Sequence, residues 1–395
     1  MIPLFKVFMS DEAVSRASEV LKSGYIGQGA VVEEFEGSLR RLLNNDYIAT
    51  TNSATSAEHL AYHLLRKPAE LFFNFPGEQS PTRLKWQGLC DGDEVLATPL
   101  TCTATNWPIL ANRLSIKWVD IDPETLSLDL DDLRRKITPR TKIISIVHWG
   151  GYPAPLDEIR KIQLEAKERF DFFPIVIEDC AHGLGSRYES LPLGSHGNIC
   201  TFSFQAIKHI TSVDGGALAL SDQNLYSRAK LLRWYGIDRE SNRKDFRCEA
   251  DISEWGYKFH MNDVSAAIGS ENLKYLDYVS DGFKRCRDFY RERLAGFSGL
   301  SLIQNNGDNK RDWNPWLFSL LVQEKAGFYG NMHSKCISVS QVHERNDKHT
   351  CTADYRVSLP SLDKICEELI CLPCGWWVTD DQLDYICNTI QAGWM

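Results

Sequence analysis

The sequence predicts an α/β fold with a mostly parallel, buried sheet in a large domain, followed by a small C-terminal α+β domain. Three observations support this prediction. Short apolar runs alternate with helical patterns over the first two thirds of the chain, a long helical pattern starts near Asn262, and about 300–395 mixes strand-like and helical signals. Such alternation is typical of a parallel sheet covered by helices.

The individual elements follow from local periodicity. Helices are expected over about 11–23, 30–44, 54–66, 103–112, 129–137 and 156–168. Strands are expected over Asp93–Leu100, Ile116–Ile121, Lys142–His148, Phe173–Glu178, Asn198–Phe204 and Ala217–Ser221. Thr379 followed by Gln382 has capping-box spacing and predicts the start of the last helix.

The elements divide the chain into two predicted domains. Residues 1–260 form the large domain, and the long helical pattern from Asn262 towards Gly296 bridges to the small domain within 261–395. A length of 395 residues suits two domains better than one core. The segment at about 67–91 breaks the alternation with Pro, Gly and polar residues, which predicts an insertion or lid loop.

Composition excludes several classes of function. A net charge of -9 is unsuited to general nucleic-acid binding, because phosphate backbones require clustered Lys and Arg. The chain has no apolar run of about 20 residues and no signal-peptide core at its start, so we expect a cytoplasmic protein without a membrane span. Among 12 cysteines the only tight pair is Cys371 and Cys374; one CxxC is weak evidence for zinc, and no metal site is expected.

The first chemical motif is the run Asn52–Ala57, in which small and hydroxylated residues open a helix directly after an apparent strand. Helix N-termini present free N–H groups and the positive end of the helix dipole, so this position suits a phosphate. An ordinary N-cap would have the same composition. The motif is therefore informative only together with others.

The second motif is the run Val176–His182, in which an apolar strand ends in two carboxylates, followed after two residues by His182. Ligands of open α/β sheets bind at the carboxyl ends of the strands. Asp179 in this position would pair with a protonated pyridine nitrogen, although a strand-end Asp also caps ordinary turns.

The third motif places Lys208 between an apolar strand and the pair Gly215-Gly216. Most lysines are solvated, whereas a lysine desolvated at a cofactor site has a lowered pKa and becomes a nucleophilic amine. The glycine pair would allow a tight turn close to it.

The order of the three motifs indicates a fold type I enzyme dependent on pyridoxal phosphate (PLP). A helix N-terminus and Ser203 would hold the phosphate, and Asp179 would hold the pyridinium. Lys208 would hold the aldehyde as a Schiff base and move the proton.

The chain resembles the DegT/DnrJ/EryC1/StrS family of sugar aminotransferases. The matching stretches occur in the family's order and include SGYIGQGAVVEEFE, TNSATSAEHLA, GDEVLATPLTCTATN, HWGGYP, IEDCAHGLGS, FSFQAIKHITSVDGG and GYKFHMNDVSAAIG. They extend to about residue 275, and SVSQVHERNDKHT fits more loosely.

The resemblance implies the aspartate-aminotransferase fold and a homodimer with shared active sites. It assigns Lys208 to the Schiff base, Asp179 to the pyridine nitrogen and His182 to the region of the ring hydroxyl. It places Ala54, Thr55 and Ser203 at the phosphate. The implied reaction transfers an amino group from L-glutamate to a nucleotide-linked keto-sugar.

Three positions decide how closely the site follows the family. Family members usually carry an aromatic ring, sometimes His, where Cys102 stands. Either the cofactor ring is covered from elsewhere, by Trp107 or His148, or the alignment with the family is shifted by one residue at this position. Lys258 stands where an Asn commonly reaches the phosphate from the neighbouring subunit, and it would act there as a point charge. Related sugar dehydratases replace the lysine by histidine, so Lys208 favours transamination.

The diphosphate of a nucleotide-sugar requires cations and donor groups. Arg233 with Arg239 and the run that contains His343, Arg345 and His349 are candidates, because each joins Arg to aromatic or imidazole groups. Solvated loops with local ion pairs are the alternative for both. His148 and the tip residues Tyr25, Ile26 and Gln28 are further candidates for the sugar pocket.

Two other functions remain open at this stage. One is a PLP aminotransferase that acts on a ketone without a nucleotide, such as a small keto-compound. The other is a non-catalytic protein of this fold that binds PLP or a sugar nucleotide. A nicotinamide dehydrogenase is disfavoured, because no G-x-G-x-x-G follows the first strand.

Overall fold

The computed structural model describes residues 1–239, 251–304 and 309–394. The helices of this part are α1 (Asp11–Ser23), α2 (Ala30–Leu43), α3 (Ala54–Leu64), α4 (Thr103–Ala111), α5 (Leu130–Lys136), α6 (Leu156–Phe170), α7 (Gln223–Leu232), α8 (Asp263–Leu273), α9 (Leu276–Leu294), α10 (Lys325–Ser334), α11 (Pro360–Glu368) and α12 (Asp380–Gln391). The six helices predicted before residue 170 are confirmed to within two residues at each end.

The strands are β1 (Ile48–Thr51), β2 (Ala69–Phe73), β3 (Thr82–Trp86), β4 (Glu94–Ala97), β5 (Ser115–Trp118), β6 (Thr141–Val147), β7 (Ile175–Asp179), β8 (Arg187–Tyr188), β9 (Leu191–Pro192), β10 (Ile199–Ser203), β11 (Gly216–Ala219), β12 (Leu300–Leu302), β13 (Arg311–Asp312), β14 (Phe318–Val322) and β15 (Leu369–Leu372). The six predicted strands are confirmed to within three residues at each end.

Seven strands form the central sheet in the order β1-β11-β10-β7-β6-β4-β5. Strand β11 runs antiparallel to both of its neighbours, and the other neighbouring pairs are parallel. The predicted α/β fold with a mostly parallel sheet is therefore confirmed. A separate antiparallel sheet, β12-β14-β15, lies among the later elements.

Both faces of the central sheet are buried, which explains why its strands are continuous apolar runs. Ile175 and Ile177 of β7 pack into one core with Leu60 of α3. Val176, which points to the opposite face, packs into a second core with Phe35 of α2. Side chains alternate across a strand, so a strand covered by helices on both sides needs apolar residues at every position.

The helix predicted from Asn262 to Gly296 is instead two helices, α8 and α9, which meet at Lys274 and Tyr275. Asn272 ends the first of them in a fully buried position. Its Oδ1 accepts from Ser10 N at 3.0 Å and its Nδ2 donates to Thr211 O at 2.9 Å. These contacts hold the last turn of α8 against the segment before α1 and the loop between β10 and β11.

The predicted insertion contains a β-hairpin, because β2 and β3 pair antiparallel. Trp86 at its base is buried, and its indole N–H donates to Leu65 O at 2.6 Å. Arg160 of α6 lies 3.7 Å from the centre of the Phe75 ring. The hairpin is thus packed against the large domain, and its role as a lid stays a prediction.

The last helix begins at the predicted position. Thr379 accepts from Gln382 N, and the Gln382 side chain accepts from Thr379 N, which is a complete capping box. Over 1–239, 251–304 and 309–394, no helix combines the length and apolarity needed to cross a membrane.

Candidate active site

A cavity of about 390 Å³ lies where β7 and β10 end and α3 begins. The structure brings several separated predictions together in its wall. The predicted residues that line this cavity are Ala54, Thr55, Cys102, Asp179, His182, Ser203, Lys208 and His343. The carboxyl end of a parallel sheet is where α/β proteins bind their ligands.

The first turn of α3 is the part of the cavity wall suited to bind an anion, and it is called the anion seat below. Ser203 lines the same cavity. Ser53 is the N-cap, and its hydroxyl accepts from Ser56 N at 3.1 Å. The N–H groups of a first helical turn have no acceptor inside the helix and attract anions.

The glycine pair acts through close packing and not through a left-handed turn. A Cβ at Gly216 would lie 2.4 Å from Ala54 N, and a Cβ at Gly215 would lie 2.2 Å from Ser212 Oγ. Only glycine therefore allows β11 to approach the anion seat so closely.

Asp179 ends β7 and is held by two hydrogen bonds. Thr105 Oγ1 donates to its Oδ2 at 2.6 Å, and Ala181 N donates to its Oδ1 at 2.8 Å. Thr105 is in turn 2.8 Å from Thr101 Oγ1. These hydrogen bonds hold both carboxylate oxygens in place.

Lys208 lies in the loop between β10 and β11, with its Nζ 3.6 Å from the centre of the Trp316 ring. Burial lowers the pKa of Lys208 to about 8, although the charges of Asp179 and Cys102 act in the opposite direction. A lysine with this pKa carries a substantial fraction of neutral amine near neutral pH, which a nucleophilic lysine requires.

Three rings flank Lys208. His182 stacks on Trp316 with 4.0 Å between ring centres, and His343 lies parallel to His182 at 5.9 Å. Gly150 N donates to His182 Nδ1 at 3.3 Å. Burial lowers the pKa of His182 well below its ordinary value, and Lys208 and His343 add to the effect, so His182 is neutral with its proton on Nε2.

The indole of Trp316 also lines the cavity, and the sequence analysis missed this residue. Of the two residues proposed to cover the cofactor ring, Trp107 contacts the ring of His349, and His148 pairs with Glu178. Neither is among the residues that form the wall of the cavity. The run Asn314-Pro-Trp-Leu-Phe318 carries an aromatic signal but has no motif that assigns it to this site.

His148, a predicted substrate residue, lies inside the core. It is fully buried, with Nε2 at 2.8 Å from Glu178 Oε2 and Nδ1 accepting from Ala154 N at 3.0 Å. Both ring nitrogens of His148 thus already form hydrogen bonds within the protein.

The predicted substrate arginines differ in their surroundings. Arg233 is 2% exposed, forms an ion pair with Glu36 and donates to Thr50 O at 2.8 Å. Arg345 is bonded to Asp347 at 2.6 Å and to Asp363. The positive charges of these two guanidinium groups are thus compensated by carboxylates of the protein itself.

Arg239 lies on the surface, and its Nη1 donates to Gln28 O at 3.0 Å. Gln28, Arg233 and Arg239 line a second pocket of about 250 Å³. The adjacent tip is open to solvent, since Tyr25 is 85% and Ile26 49% exposed.

Lys258 has an exposed side chain near the anion seat. Its carbonyl oxygen accepts from Asn52 Nδ2 at 3.2 Å, which places its backbone beside the start of α3. Whether its ammonium group reaches a phosphate stays a prediction.

Fold and site together define a PLP-dependent aminotransferase. A model of the DegT/DnrJ/EryC1/StrS aminotransferase family matches residues 8–71 and 80–391, and the chain belongs to this family. The gap between the two matched ranges falls within the β2–β3 hairpin.

Solved structures agree with this assignment. AtS13 from Actinomadura melliaura is 44% identical, with a TM-score of 0.91, 100% of this chain covered and 99% of the other. The sugar aminotransferase CalS13 from Micromonospora echinospora is 39% identical, with a TM-score of 0.91 and both chains covered completely.

A relative found by sequence agrees as well. The spore coat polysaccharide biosynthesis protein SpsC of Bacillus subtilis is 28% identical over 82% of this chain and 76% of its own length.

The residues of the cavity fit pyridoxal phosphate. The start of α3 and Ser203 would hold its phosphate, Asp179 would face its pyridine nitrogen, and the amine of Lys208 would receive its aldehyde. The observation that carries this fit is an amine of lowered pKa in one cavity with an anion seat and an oriented carboxylate.

We expect Lys208 of the apoprotein to capture added pyridoxal phosphate faster as pH rises, with a midpoint near 8. The neutral amine is the nucleophile, and burial lowers its pKa, so the reactive fraction is lost as pH falls through that value. Stopped-flow absorbance of apoprotein mixed with cofactor measures the rate. A rate that rises only towards pH ~10, the ordinary range of lysine, would contradict a buried amine.

Proposed function

We propose that the protein transfers an amino group from L-glutamate to the keto carbon of a nucleotide-linked sugar. The observation that carries the proposal is the cavity that joins Lys208, Asp179 and the anion seat in a chain of the sugar aminotransferase family. The similarity to CalS13, a sugar aminotransferase, supports a sugar as acceptor.

The residues of the cavity have distinct tasks in this proposal. Bound pyridoxal phosphate supplies an electron sink for the carbon that loses or gains the amino group. Lys208 carries the proton between that carbon and the cofactor, since its amine lies inside the cavity. Asp179 keeps a negative charge opposite the pyridine nitrogen, and His182 offers its Nε2–H as a donor.

The nucleotide diphosphate is proposed to bind the exposed Arg239 beside Gln28, and not the guanidinium groups of Arg233 or Arg345. The last two are paired with carboxylates in the interior, and moving them would leave buried charges uncompensated. His343 is proposed to contact the sugar, because it lines the cavity and its Nε2 has no hydrogen-bond partner among the described residues.

We further propose a cytoplasmic homodimer with shared active sites, in which 1–260 binds the cofactor and 261–395 forms the bridging and small C-terminal part. The exposed side chains of Tyr25 and Ile26 support a partner surface at this tip. Sedimentation equilibrium of the wild type and of Ile26→Asp tests the dimer, since a buried charge at an interface weakens it. An unchanged mass for the variant would exclude this tip from the interface.

A panel of dTDP-, UDP- and GDP-linked keto-sugars with ¹⁵N-labelled L-glutamate tests the reaction. We expect one nucleotide-sugar to acquire the label, detected by mass spectrometry, and no label with the Lys208→Ala variant. Labelling of only an unphosphorylated ketone would contradict the proposed substrate class. Binding of a sugar nucleotide without labelling of any acceptor would instead indicate a non-catalytic protein.

A further inference from the structure

Glu58 is a buried carboxyl group in the wall of the cofactor cavity. It lies on α3, one turn after the anion seat, and is 2% exposed. Thr201 Oγ1 donates to its Oε1 at 2.5 Å. Its Oε2 is buried and has no hydrogen-bond partner among the described residues. The interpretation of the sequence motifs gave this residue no role.

The surroundings of Glu58 differ from those of the other buried carboxylates. Glu36 is paired with Arg233, and Glu178 is bonded to His148 on one oxygen and to Asn198 on the other. In the described ranges, Glu58 has neither an ion pair nor a second donor. Burial and the charge of Asp179 therefore raise the pKa of Glu58 well above its ordinary value, although the Thr201 hydroxyl lowers it.

Glu58 is connected to Asp179 through the sheet. Thr201, its hydrogen-bond partner, is the register neighbour of Asp179 across β7 and β10. Thr201 O also accepts from Cys180 N, the residue after Asp179, at 2.8 Å. A change in the charge of Glu58 therefore acts on Asp179 both through space and through Thr201.

We propose that Glu58 is held as an uncharged carboxylic acid and acts as a positioning residue, so that Asp179 carries the negative charge of the two buried carboxyl groups in the cavity wall. Two carboxylates in one buried site do not both ionise readily. Asp179 accepts two hydrogen bonds and Glu58 accepts one, so we assign the negative charge to Asp179. The proposal rests on the proposed function only in that Asp179 faces the pyridine nitrogen.

Infrared spectroscopy of the apoprotein tests the protonation state directly. We expect the carbonyl band of a protonated carboxylic acid near neutral pH in the wild type, and its loss in E58Q. E178Q is the matched control, because Glu178 is equally buried but bonded on both oxygens, and it should retain the band. A wild-type spectrum without the band, or a band that persists in E58Q, would overturn the proposal.

The binding of pyridoxal phosphate to the same variants tests the positioning role. Glutamine preserves an uncharged acceptor for Thr201, whereas Glu58→Leu leaves that hydroxyl unpaired. We expect Kd to rise about tenfold more in Glu58→Leu than in E58Q. Equal losses in both variants would contradict the positioning role, and an E58Q protein that does not fold would contradict an uncharged Glu58. A wild type that binds no pyridoxal phosphate would overturn the proposed function. The infrared experiment on the apoprotein would still test the protonation state of Glu58.

Discussion

Replacement of Lys208 by alanine is expected to lower kcat for amino transfer by about 10⁴-fold or more, because the variant lacks both the amine that holds the cofactor and the base that moves the proton. The structure places this amine in the cavity with Asp179, and burial lowers its pKa to about 8. Borohydride reduction followed by peptide mass spectrometry should find the cofactor on Lys208 in the wild type. The rate is measured with labelled glutamate.

Lys161→Ala is a matched control, because Lys161 is an exposed lysine of α6 that pairs with Glu158 on the surface. It should leave both the rate and the absorbance of the bound cofactor unchanged. The role assigned to Lys208 would be wrong if the Lys208→Ala variant retained the wild-type rate. It would also be wrong if reduction labelled another lysine.

Replacement of Arg233 by methionine is expected to lower the free energy of unfolding by up to about 3–5 kcal/mol, since buried Glu36 then keeps only the more distant ion pair with Arg40, at 3.5 Å, among the described residues. Arg233 is 2% exposed and Glu36 1% exposed. Urea denaturation measures the loss. The double variant Arg233→Met, Glu36→Gln should recover much of it, because the uncompensated charge is then removed.

Arg239→Ala is the contrasting variant, because Arg239 lies on the surface beside Gln28. A surface substitution should change the free energy of unfolding by less than about 0.5 kcal/mol, whereas KM for the nucleotide-sugar should rise. If instead Arg233→Met raised KM and left stability unchanged, Arg233 would be a substrate residue as the sequence analysis expected.

The alternating pattern and the three motifs were sufficient to predict the mostly parallel sheet and several of the residues that meet in the cavity. Each of these signals is local, because an apolar strand ends in Asp179, and small residues at 53–56 open a helix. The topology of a parallel sheet then brings the ends of β7 and β10 together. Lys208, Asp179, Ser203 and Ala54 could therefore be placed without knowledge of side-chain packing.

Only the structure shows which residues far apart in the sequence form ion pairs or hydrogen bonds with each other. Arg233 was expected at the diphosphate, but Glu36, 197 residues earlier, holds it in the interior. His148 was expected in the sugar pocket, but its pairing with Glu178 likewise holds it in the interior. No local pattern shows which carboxylate neutralises a given cation, because such partners are joined only by the fold.

Sequence alone thus determined the class of protein and the cofactor, and it predicted Lys208 as the lysine that bonds to the cofactor, because these follow from motifs at the ends of predicted elements. Tertiary structure decided that Trp316 supplies the aromatic face beside Lys208 and that Glu58 enters the cavity wall. Trp316 lies in the loop before β14, and Glu58 lies on α3 just after the Asn52–Ala57 motif, so no motif assigned either residue to the site. Their surroundings arise only when distant parts of the chain pack together, since burial and charge pairing are properties of the folded molecule.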